Sequence, residues 1–229
     1  MNNIRRLLVL LFAPLALALG SQGASAAFIT IDESGMDAVF SQSGFGASVD
    51  IRIGPTTELV LPGLVAITTS SQIDDLFAYH VGGDDVVNFY FVDTIGACGV
   101  STNSNIVGCG ETPGNDFVVE SVYASGTNGI ELLAHELGHN LGLAHRNGAS
   151  ALMNPTINGG TDLNAAEILS ISLSSLVQTD INGLFIQINP VLVSSVAAVV
   201  PLPSAVWLLL SSIGLLSGAK RFRSAATTA

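Results

Sequence analysis

Residues 135–145 read HELGHNLGLAH and hold three of the chain's four histidines, one glutamate and two glycines. His135 and His139 are four residues apart, so on an α-helix they differ by only about 40° around the axis. Their imidazoles can then converge on one tetrahedral cation. Glu136 lies one step round the helix, where it can lean over the same point without ligating it. The same helix cannot supply a third ligand six residues further on, so the chain must turn back. Gly142 permits that turn, because glycine enters the left-handed conformation that ends a helix at no Cβ cost. His145 then returns to the cation from the side. The stretch therefore supplies three ligands, one base and one hinge. Three neutral imidazoles with an open fourth position suit zinc better than magnesium or calcium. Each residue also has a purely structural reading: satisfied helix histidines, an ordinary cap, a solvated carboxylate. Five fixed positions in order favour the joint reading.

The pattern HExxHxxGxxH resembles that of the metzincin zinc endopeptidases. Eight residues after His145 comes Met153, within ALMNP at 151–155, which resembles the family's Met-turn. There a methionine packs beneath the metal without binding it. The resemblance is specific over residues 128–155 and extends over about 45–180. It implies that His135, His139 and His145 ligate zinc. It implies that Glu136 takes a proton from the attacking water and passes it to the leaving amine. It also implies an edge strand within 103–111 that aligns substrate as an added strand, and a loop after Pro155 that shapes the pocket beyond the cut. The sequence departs from the venom and ADAM-type branches, because Arg146 stands where they carry Asp.

The elements that must position this motif are legible in part. Residues 33–42 have helical spacing with Met36, Val39 and Phe40 on one face. Residues 49–53 alternate as a strand, and 59–68 are apolar but interrupted by Pro62-Gly63. Residues 72–80 read as a helix. Residues 86–93 form a continuous apolar run, which suggests a strand buried on both faces. Residues 95–114 are mostly loop, with a short strand through 105–109, and 116–124 read as another strand. Asn128 with Glu131 forms a capping-box variant opening an apolar helix to about Leu141. Thr161-Asp162 precedes a second helix, and 183–188 make a last strand. The pattern predicts an α/β (α+β) domain. The metzincin resemblance implies a twisted mixed sheet with an active-site helix and a C-terminal helix.

Both ends differ from this domain. Residues 1–26 carry Arg5 and Arg6, an apolar run and a small-x-small site at 24–26, the pattern of a secretory signal peptide removed by signal peptidase. Residues 196–229 carry Pro201-Leu202-Pro203, Trp207, an uncharged apolar stretch and then Lys220, Arg221 and Arg223. This resembles the PEP-CTERM sorting signal of Gram-negative bacteria, in its VPLP form. It implies a transmembrane helix that anchors the chain transiently in the inner membrane until an exosortase-like protease cuts near the prolines. A permanent anchor is the alternative. The expected domain is then 27–195, exported to the cell surface or medium.

That domain retains only Arg52 and Arg146 against all eighteen acids, a net charge near −16 with neutral histidines. Such a surface repels nucleic acid and anionic lipid. Cys98 and Cys109 form one even pair, most simply a disulfide in an exported chain, with a Cys-ligated metal as the weaker reading. Asp84, Asp85 and Asp93 carry oxygen donors of the calcium-binding kind, though a solvated loop explains them too. His80 lies far from the motif and reads as structural. Two functions compete, with a metal-dependent hydrolase of non-peptide substrates as a weaker third: a secreted zinc endopeptidase acting on protein or peptide, and a non-catalytic surface or matrix binding protein stapled by zinc. Glu136 separates them, since a structural three-histidine site has no use for that carboxylate.

Overall fold

The computed structural model describes residues 31–46 and 48–196. The signal-peptide and sorting-tail readings, with the transmembrane helix, lie outside the described residues. Among the described residues no helix is long and apolar enough to cross a membrane.

In chain order the elements are α1 (Glu33–Phe40), β1 (Val49–Ile53), β2 (Thr57–Val60), β3 (Ala66–Ile67), α2 (Ser70–Phe77), β4 (Val86–Val92) and β5 (Thr94–Ile95). Then come β6 (Ala97–Cys98), β7 (Ser101–Thr102), β8 (Gly108–Gly110), β9 (Asp116–Glu120), α3 (Ser121–Ala124), α4 (Gly129–Asn140), α5 (Ala165–Ser172), β10 (Gln178–Asp180) and β11 (Gly183–Ser194). The main sheet is mixed and runs β1-β11-β4-β9-β8, with β2 and β10 also paired to β11. β1, β11, β4 and β9 are mutually parallel, while β8 closes the edge antiparallel to β9. The architecture is the expected mixed α/β fold, with α4 as the central helix and α5 as the later one.

Strand β4 shows why the sheet is buried on both sides. Val87, Phe89 and Phe91 point into one apolar layer, with α1, α4 and α5, and Tyr90 and Val92 into the other, with α2. Burying each such side chain contributes roughly 1.5–3 kcal/mol. The alternation continues across neighbours: Phe117 and Val119 of β9 join the first layer and Val118 the second.

Four sequence expectations need correction. The segment 116–124 is strand only to Glu120, because the chain turns into the short helix α3. The last strand does not stop at Ile188 but runs to Ser194, between β4 on one side and β1 and β2 on the other. Proline cannot donate to a ladder, so Pro190 needs a place in the sheet where its nitrogen faces no partner. Here Asn189 and Pro190 fall opposite the break between Ile53 and Thr57, so β11 passes through with its proline facing a gap between β1 and β2. The cap of α5 is Asn164, whose side chain accepts from Ala166 and Glu167 N–H while Glu167 reaches back, in place of Thr161-Asp162. Asn128 makes no side-chain cap to α4, and Glu131 is occupied elsewhere.

Candidate metal centre

Helix α4 carries His135, Glu136 and His139, and its buried Leu and Ala residues pack it into the core and so fix where those polar groups stand. Leu132, Leu133, Ala134 and Leu137 are all buried. The helix ends in a Schellman motif: Gly142 N–H donates to His139 O at 2.8 Å and Leu143 N–H to Gly138 O at 2.9 Å. Gly142 has φ +87°, the left-handed turn that residue was expected to make.

The turn brings His145 back to the helix. Its Nε2 lies 3.3 Å from His135 Nε2 and 3.2 Å from His139 Nε2. Three nitrogens each 2.0–2.1 Å from a tetrahedral zinc would be about 3.3–3.4 Å apart. The far nitrogens of the two helix histidines are tied to backbone: His135 Nδ1 donates to Leu152 O and His139 Nδ1 to Leu143 O, both at 2.8 Å. Each Nδ1 therefore carries the proton and each Nε2 presents its lone pair, the donor set a zinc ion takes. Burial, with the other imidazoles adding to it, holds His135 down to a pKa of about 4 and depresses His139 too. Both stay neutral and ready to ligate at physiological pH.

Met153 is fully buried. Its thioether fills the space beside Gly138, where a Cβ would stand 2.5 Å from the sulfur. Met153 thus packs against the helix turn that joins His135 to His139.

Glu136 is 5 % exposed and sits in the floor of a cleft of about 1070 Å³ that also reaches all three histidines. Burial pushes its carboxyl up to a pKa of about 8. The opposite wall is strand β8. A Cβ on Gly108 would overlap the Glu136 carboxylate, standing 2.6 Å from its Cδ, and one on Gly110 would be 3.4 Å from its Oε2. The Gly-Cys-Gly strand is therefore small on the side that meets Glu136. Cys109 between those glycines is bonded to Cys98 of β6, so the expected disulfide is present.

Glu131 lies one turn before His135. Its carboxylate accepts N–H bonds from Asn158, Gly159 and Gly160, and so ties α4 to the loop whose Pro155, Thr156 and Ile157 line the cleft. The expected cap at Glu131 fails because this three-donor loop is a better partner. The loop is 27 residues away at its nearest, beyond what local spacing reveals.

His80 is outside the site, with Nδ1 2.9 Å from Asp116 Oδ1 at the start of β9. Burial opposes its charge, but the bond and charge of Asp116 outweigh that and raise its pKa. Among the described residues the triad is the cluster of three or more His, Cys, Asp or Glu side chains that converges tightly enough for a metal. The calcium expectation is not supported. Asp84 and Asp85 precede β4 and Asp93 follows it, so a seven-residue strand, roughly 20 Å long, separates them.

No curated protein matches the chain. A family model described as Matrixin matches residues 68–173, from just before α2 to the end of α5. With the three converging histidines, that match fits a metzincin and supports a zinc metallopeptidase.

Proposed function

We propose that the chain is a secreted zinc endopeptidase in which His135, His139 and His145 hold the ion and Glu136 is the catalytic acid–base. The observation that carries this is the buried carboxylate of Glu136 in the floor of the cleft onto which the three Nε2 atoms open. A bound zinc supplies Lewis acidity toward the scissile carbonyl and acidifies the attacking water. Glu136, buried among the residues that line the cleft with the three imidazoles, is placed to take the proton of that water and return it to the leaving nitrogen. Strand β8 ends the sheet, and its backbone offers the substrate a strand partner along the cleft. Met153 supports the histidines from below and does not ligate.

Among the described residues the cleft lining includes no Lys, Arg or Asp, and Glu136 is its one carboxylate. This suits a peptide segment with uncharged side chains. The matching segment ends well before the tail, and export rests on the two terminal signals: removal of 1–26 by signal peptidase and release near Pro203 by an exosortase-like protease, after transient inner-membrane anchoring. The strongly acidic domain has no use for nucleic acid.

The test is turnover of casein or gelatin by the exported protein, with and without a chelator. Glu136→Gln should keep zinc and lose at least ~10²-fold in activity, the lower end of what a positioned acid–base group contributes. His139→Ala should lose zinc and activity together. A Glu136→Gln protein as fast as the parent would contradict the mechanism. Zinc-replete parent protein that cleaves nothing across a broad peptide library would favour the stapled binding protein.

A further inference from the structure

We propose that Arg146 and Glu167 form a clamp that sets the position of the third ligand, His145, and so controls the zinc affinity of the site. The inference rests on the reading of the triad as a zinc site. His135 and His139 are each braced from behind by a backbone carbonyl on Nδ1. His145 is exposed, and its polar contacts among the described residues are the approaches of its Nε2 to the other two Nε2 atoms, with no backbone carbonyl bracing the ring from behind. Its support comes from the next residue in the chain.

The Arg146 N–H donates to Met153 O at 2.8 Å, joining the ligand loop to the Met-turn. The guanidinium meets Glu167 through two bonds, Nε to Oε1 at 2.6 Å and Nη2 to Oε2 at 3.0 Å. Nη2 also donates to Asp162 O at 2.9 Å. Glu167 is 9 % exposed and is itself fixed, because Oε2 accepts the Asn164 N–H at 2.7 Å and closes the capping box of α5. The chain beside His145 is therefore bolted to the first turn of α5 by a planar fork that fixes distance and angle together, which a lysine cannot do. Without the fork, zinc must itself order the loop that carries its third ligand, and that ordering is subtracted from its affinity. Groups that orient a metal ligand from outside the coordination shell typically account for ~10–100-fold in affinity. Arg146 and Glu167 are positioning residues and touch neither zinc nor substrate.

Competition of the full exported protein against a chromogenic zinc chelator tests this, alongside thermal melts of the metal-free forms. Arg146→Ala and Glu167→Gln should each bind zinc ~10–100-fold more weakly. Arg146→Lys should fall between them and the parent. The double variant should lose little more than either single one, as for two halves of one device. The melts of the metal-free proteins should shift far less than the melts with zinc, a split that a merely structural pair would not produce. Parent-like zinc affinity in Arg146→Ala and Glu167→Gln, or fully additive losses, would overturn the clamp alone. A folded parent that binds no zinc would overturn the zinc reading and the clamp with it.

Discussion

The two walls of the cleft are built on opposite principles. On one side α4 runs unbroken for twelve residues, with its histidines and Glu136 spaced by the helix itself. On the other side β6, β7 and β8 are two or three residues long, and a disulfide joins β6 to β8. The helix wall derives its geometry from local hydrogen bonds and a continuous apolar face. The strand wall has little core of its own, and its glycines come close enough to Glu136 that no side chain fits between. The difference teaches where precision comes from: a ligand set is placed by periodicity, while a substrate edge is placed by what it is pressed against.

Gly108→Ala should break that contact with the largest effect. The added methyl overlaps the end of the Glu136 side chain and not its backbone, so the carboxylate yields while the fold survives. A displacement of about 1 Å of a catalytic group can cost ~10²-fold. Activity should fall by roughly that much with zinc content unchanged. Full activity in Gly108→Ala would show that β8 does not position the carboxylate.

Replacing Cys98 and Cys109 together by Ser should have a smaller effect, on stability. A bridge that closes a loop with a separation of eleven residues contributes up to ~3 kcal/mol in the chain-entropy model. Hydrogen exchange should quicken in residues 97–110 well before α4. Equal loosening of both walls would mean that the strand wall is not independently held.

The helix wall was also the legible one. The spacing of His135 and His139, the turn at Gly142, the alternation of β1 and the continuous apolar run of β4 are all local patterns, and the structure places each near where the sequence indicates. Partners distant in sequence were not legible. Glu131 looked like a helix cap because its neighbour is Asn128, yet its carboxylate binds a loop from beyond the Met-turn. The extension of the last strand past Ile188 depends on the gap between β1 and β2 that faces Pro190, and no local pattern carries it. Gly108 and Gly138 carry no periodic signal, since each is needed for the atom pressed against it, Glu136 and Met153 respectively. Arg146 stands out in the sequence only as a departure from related families, and its partner Glu167 lies 21 residues on.

X-ray absorption at the zinc edge of the purified exported protein reads the metal centre itself. The account predicts one zinc per chain, with three imidazole nitrogens at about 2.0–2.1 Å and no sulfur near ~2.3 Å. That leaves Met153 and the bonded cysteines outside the coordination sphere. Folded protein without zinc, or zinc held by sulfur, would contradict it.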